Sequence, residues 1–161
     1  MDSGLGKTPC KDPRVLILGS FPSRMSLIKA EYYGNPRNQF WTVMENLFSL
    51  DRTIPYEERI LALGRHHVIL WDVIRSCNRE GSGDSRIKNA VQNNIPEFID
   101  RNPGLRLVAL NGATARNYFE RGKNPATINI VTLPSTSPAH ARITVGEKTR
   151  LWRIICSYAG T

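Results

Sequence analysis

The chain has 161 residues, with 22 Lys plus Arg against 14 Asp plus Glu and a formal net charge of +8. That length suits one domain with a substantial core, and 40% hydrophobic with 22% charged residues excludes a fibrous or disordered chain. Cys10, Cys77 and Cys156 are odd in number, far apart and without CxxC spacing, which argues against a disulfide scaffold and against zinc or iron–sulfur ligation.

No apolar run approaches the roughly 20 residues of a membrane span, so no membrane partner is expected. The opening MDSGLGKTPCKDP lacks the apolar stretch of a secretory signal. An intracellular protein is the expectation: cytoplasmic or nucleoid-associated, or nuclear in a eukaryote. The cationic excess favours polyanionic partners through phosphate contacts and counterion release.

In chain order, residues 1–12 are expected to be a loose leader and 13–161 a single domain. GLGKT at 4–8 echoes a phosphate-binding loop, but Met1 stands where the first glycine belongs and no strand precedes it. Apolar runs predict strands at 14–18, 67–71, 105–110 and 127–132. They are continuously apolar rather than alternating, as in a parallel sheet covered on both faces. Helical spacing predicts helices at 38–50, 56–65, 85–101, 113–121 and 146–159. The alternation implies an α/β protein: a three-layer α/β/α fold with a short, mostly parallel four-stranded sheet.

In such sheets ligands bind beyond the carboxyl ends of the strands. The loop after the first strand carries Ser20-Phe21-Pro22-Ser23 and then Tyr32-Tyr33-Gly34-Asn35-Pro36-Arg37-Asn38, rich in rings, hydroxyls and amides. It is the expected floor and wall of a pocket. From spacing alone Asn38 reads as a cap for the helix that Gln39-Phe40-Trp41 opens. Phe40 and Trp41 read as core. GxGxxG and GxSxG are both absent, and His66, His67 and His140 are not placed for a triad.

GSFPS, then YYGNPRNQFW, with LPSTSPAHA at 133–141, resembles the uracil-DNA glycosylase superfamily, and within it the hypoxanthine-DNA glycosylases. The likeness runs from about 14 to 158 with its three motifs in order. It implies the uracil-DNA glycosylase-like fold and a monofunctional glycosylase for deaminated bases, hypoxanthine first, in base excision repair. The partner would be DNA containing deaminated bases, met by a monomer without cofactor or metal. The alternatives are a uracil or mismatch-type glycosylase of the superfamily and a non-catalytic binder of damaged DNA.

By the same resemblance, Asn38 takes over catalysis, because the usual catalytic place in the first motif holds Phe21, which cannot activate water. An amide can orient water without ionising. Phe21 would stack on the base, with Ser20 and Tyr33 also base-binding. Asp72, just after the second strand, stands where uracil-removing relatives carry an asparagine, and its carboxylate would accept N1–H of hypoxanthine. Its plain alternative is a salt bridge with Arg75. Ser23, Ser135, Thr136 and Ser137 would grip phosphates. Leu133 replaces a histidine of the uracil-specific relatives, and the Arg79–Asp84 loop has no assigned role.

Overall fold

The computed structural model describes residues 1–122 and 127–160. Its centre is a four-stranded parallel sheet built from β2 (Val15–Gly19), β3 (Val68–Asp72), β6 (Leu107–Asn111) and β7 (Asn129–Leu133), in the order β3-β2-β6-β7. All four strands fall within two residues of the predicted runs. Val15 to Leu18 have no exposed surface, which is what a central strand covered on both faces requires.

Alternation along β2 divides the core. Val15 and Ile17 face a cluster with Phe40, Val43 and Met44 of α2 (Phe40–Phe48), Ile60 and Leu63 of α3 (Tyr56–Arg65), Trp152 of α6 (Val145–Trp152) and Ile155 of α7 (Ile154–Ala159). Leu16 and Leu18 face Ile95, Phe98 and Ile99 of α4 (Ile95–Arg101) and Phe119 of α5 (Ala113–Glu120). Helices therefore cover both faces, and the three-layer α/β/α architecture holds. Fully burying one such aliphatic side chain contributes about 1.5–3 kcal/mol, so β2 is the strand the fold can least tolerate losing.

Three expectations are corrected. Residues 85–101 are not one helix: a 3-10 turn (Asp84–Arg86) leads into β5 (Lys88–Gln92), and only then does α4 begin. Pro96 in its first turn and Asn94, whose side chain accepts from Glu97 N at 3.2 Å, mark that start. The helix expected at 146–159 is two, α6 and α7, parted at Arg153. A short helix, α1 (Arg24–Lys29), stands in the pocket loop, capped by Ser23.

A second, antiparallel sheet was not predicted at all. It orders β1 (Asp2–Ser3), β4 (Ile74–Asn78) and β5. The first dozen residues, expected to be loose, carry definite contacts. Gly4 N donates to Arg75 O at 2.8 Å, Thr8 exchanges hydrogen bonds with Leu70, and the Tyr32 hydroxyl donates to Gly6 O at 2.9 Å. Between the second sheet and the first loop lies a third small cluster: Phe21, Ile74, Cys77 and Ile87.

Candidate active site

A cavity of about 300 Å³ opens at the carboxyl ends of β2, β3, β6 and β7. Its lining includes Ser20, Phe21, Ser23, Tyr33, Asn38, Asp72, Ser135, Thr136 and Ser137, so the residues expected to act on the base or grip phosphate lie around one hollow. Its size is at the lower end of small-molecule pockets, enough for one planar ring system.

Asp72 is the most perturbed carboxyl there. It ends β3, paired in register with Gly19 at the end of β2. It is 4% exposed, and its Oδ2 has no hydrogen-bond partner. Arg75, on the next strand, forms no ion pair with it among the described residues. Burial, reinforced by the nearby Asp84 carboxylate and only partly opposed by Arg79, pushes its pKa up to about 8. Burial at this place thus favours the protonated form over the carboxylate, offering acceptors alone, that the sequence leads one to expect.

Asn38 is both cap and lining. Its Oδ1 accepts from Phe40 N at 2.9 Å, the first residue of α2, while Gln39 makes no side-chain cap. That bond fixes the carboxamide plane and leaves Nδ2 unspent beside the cavity. Phe40 and Trp41 lie in the core as expected.

Phe21 is 7% exposed, held by Ile74, Cys77 and Ile87, with the Arg79 guanidinium 5.0 Å from its ring centroid. Arg79 is itself buried and donates to Pro22 O at 2.6 Å, which ties the loop of uncertain role to the first motif. Tyr33 sits at φ 56, in left-handed backbone, and stacks on Phe40 at 4.0 Å. Burial and the charge of Asp72 both push its phenol pKa up, so it stays protonated.

The hydroxyls are unequal. Ser20 Oγ donates to Asp84 Oδ1 at 3.1 Å, and Ser23 Oγ accepts from Ser26 N as the cap of α1 while donating to Ser26 Oγ at 3.0 Å. Thr136 is fully buried: its N–H donates to Asn111 Oδ1 at 3.1 Å, its hydroxyl accepts from Asn111 Nδ2 at 3.0 Å, and its carbonyl accepts from Gln39 N. Ser135 and Ser137 are half-buried and use their oxygens only as acceptors within the turn, from Ser137 N and Ala139 N.

Three lining or neighbouring groups were given no chemical role from sequence: Asn111, Asp84 and Arg79. Asn111 was legible only as a turn before α5. Its Nδ2 also donates to the Tyr33 hydroxyl at 3.2 Å, so one carboxamide ties two walls together. Lys29, the nearest lysine to the loop in sequence, donates to Gly34 O and is not among the lining residues. Among the described residues no cluster of three His, Cys, Asp or Glu side chains is gathered for a metal ion, and no helix is long and apolar enough to cross a membrane.

Comparison with known proteins gives this arrangement its class. The sequence profile of the Uracil DNA glycosylase superfamily matches residues 5–155. A protein named hypoxanthine DNA glycosylase from Methanosarcina acetivorans is 35% identical over 152 residues, covering 90% of this chain and 91% of its own. Another of that name from Methanosarcina barkeri is 38% identical over 109 residues, 67% of this chain and 69% of its own. A solution structure described as that of a candidate uracil DNA glycosylase from M. acetivorans superposes with a TM-score of 0.84 at 31% identity, covering 99% of this chain and 98% of that one.

A parallel sheet with a polar, ring-lined hollow at its carboxyl edge is thus the scaffold of a DNA glycosylase, a hydrolase of N-glycosyl bonds. The chain belongs to the uracil DNA glycosylase superfamily.

Proposed function

We propose that the protein, acting as a monomer in base excision repair, removes deaminated bases from DNA, hypoxanthine before others. The observation that carries this reading is the meeting of Asn38, Asp72 and Phe21 in one base-sized cavity. The names of the two Methanosarcina relatives suggest the base.

A base inside a duplex cannot be reached, so the nucleotide is rotated out into the pocket. Ser135 and Ser137, whose hydroxyl hydrogens are unspent, hold the flanking phosphates, with Ser23 joining them once its hydroxyl turns from Ser26 Oγ, and the net positive charge draws the strand in. Thr136, fully buried with its N–H on Asn111 and its carbonyl on Gln39, shapes that loop and offers the phosphate less. Phe21 stacks on the purine, a contact worth on the order of 1–3 kcal/mol. Asp72 reads the base's edge, and Ser20 and Tyr33 close the hollow around it.

The glycosidic bond breaks towards an oxocarbenium-like sugar, stabilised by the strand's own phosphates. Asn38 then holds the water that attacks C1′. Its cap bond to Phe40 presets the amide, so no reorganisation is required at the moment of reaction. No covalent enzyme intermediate is involved.

The test is a set of duplexes identical except for one base: hypoxanthine, xanthine, oxanine, uracil or an undamaged base. Strand scission after alkali reports excision. Hypoxanthine released fastest, with Asn38→Ala slowed on the order of 10²-fold at unchanged DNA affinity, is the expected result. Uracil released first would reassign the substrate. Binding without scission would favour a damage-binding protein.

A further inference from the structure

The cavity holds one group whose chemistry the reading above leaves unspecified. Asp72 ends its strand under the base-sized hollow with no ion-pair partner among the described residues and with a buried, unpartnered Oδ2. The charged and titratable groups around it offer little relief. Asp84, on the 3-10 turn, is a second acid that opposes ionisation. Tyr33 and Tyr32, from the loop before α2, are neutral phenols whose own ionisation the Asp72 charge opposes. Arg79, at the end of the β4 hairpin strand, favours ionisation but makes no ion pair with Asp72: its Nη2 donates to Pro22 O, its guanidinium lies over the Phe21 ring, and its Nε and Nη1 have no partner among the described residues. Ser20, which lines the same cavity, donates to Asp84.

We propose that Asp72 meets the base as a neutral carboxylic acid, its O–H donating to the carbonyl oxygen and its C=O accepting from the adjacent N–H of a lactam edge. This inference rests on the functional reading above and gives it a selection rule. Deamination of an amino-base turns a C–NH₂ beside a ring nitrogen acceptor into a carbonyl beside an N–H. A neutral acid satisfies both new atoms, one as donor and one as acceptor. An ionised carboxylate would accept from N1–H of hypoxanthine and repel O6. A carboxyl kept neutral near pH 7 by its surroundings can serve as a hydrogen-bond donor in this way.

The test is single-turnover release of hypoxanthine by the wild type and by Asp72→Asn, which keeps the donor and the acceptor but cannot ionise. The substrate's own N1–H titration is common to both and cancels in the ratio of their rates. That ratio is expected to fall about thirtyfold between about pH 7 and about pH 9.5, following loss of the neutral acid. A ratio flat across this range on an active enzyme overturns the proposal.

Carbon-13 NMR of the Asp72 carboxyl, assigned by its loss in Asp72→Asn, gives a second readout that needs no turnover. A midpoint near 8 supports the neutral acid, and one near the ordinary 3.8 overturns it. Release of no base at any pH would sink the functional reading itself, and the acid's base-reading role with it. That outcome is distinguishable from a flat ratio.

Discussion

Gly19 and Asp72 end adjacent parallel strands as register partners, and a Cβ on Gly19 would stand 2.7 Å from Asp72 Oδ1. The same Cβ would lie 3.3 Å from the Tyr33 hydroxyl. The missing side chain is what lets a buried acid and a phenol share the floor of one cavity.

Gly19→Ala therefore pushes the carboxyl out of its place rather than merely filling space. Release of hypoxanthine is expected to slow on the order of 10²-fold, since displacement of about 1 Å at a reacting pocket carries that cost. Affinity for undamaged DNA, measured by fluorescence anisotropy, is expected to stay within about twofold, because phosphate contacts made elsewhere dominate it. Full activity in this variant would show that Asp72 is not held where the base arrives.

Asn38 has two duties, and one substitution separates them. Serine caps helices about as well as asparagine, so Asn38→Ser is expected to keep thermal stability within about 0.5 kcal/mol, whereas Asn38→Ala loses about 1 kcal/mol. Both are expected to lose most turnover, because a hydroxymethyl group is too short to present the amide's hydrogen to a water in the cavity. If Asn38→Ser cleaved like the wild type, the residue would be a cap and nothing more.

Asp72 makes stability depend on pH. Its folded pKa, about 8, is raised above the ordinary 3.8, so between these values the folded chain holds a proton that the unfolded chain has released. Stability is then highest below about pH 4, as far as this group alone decides, and declines until about pH 8, where the loss levels off. The full loss is on the order of 5 kcal/mol. Urea denaturation at about pH 5 and about pH 8 is expected to show the wild type weaker at the higher pH and Asp72→Asn nearly level. An equal slope in both proteins would mean that the acid titrates normally.

Phe21 serves the core and the cavity at once. Phe21→Ala is expected to cost about 3–5 kcal/mol of stability by emptying the space among Ile74, Cys77 and Ile87, which would obscure any effect on the base. Phe21→Leu keeps most of the packing, at a cost of roughly 1–2 kcal/mol. It removes the aromatic face, and release of hypoxanthine is expected to slow on the order of tenfold. Wild-type rates in a folded Phe21→Leu would reject stacking.

The sequence carried the central sheet well because each strand is a short, continuous apolar run, a pattern set by burial on both faces. It carried the second sheet badly. Ile74–Asn78 and Lys88–Gln92 are short, mostly polar strands whose pairing is irregular in register, so no period marks them. The helix expected at 85–101 ran through Pro96, a residue that opens helices more readily than it sits inside them.

The site was legible as a set of residues and much less so as a set of states. Asn38 and Phe21 lie in a recognisable motif, and both line the cavity. The raised pKa of Asp72 depends on burial and on Asp84, surroundings that other segments supply. Asn111 looked like a turn residue because its three side-chain hydrogen bonds reach Tyr33 and Thr136, 78 and 25 positions away.

That last bridge has a mechanical consequence. With one side chain bolting the aromatic loop to the serine-rich turn, the two flanks of the hollow cannot spread or clamp independently. A guest meets a mould already cast, and the bending needed for a fit is borne by the guest.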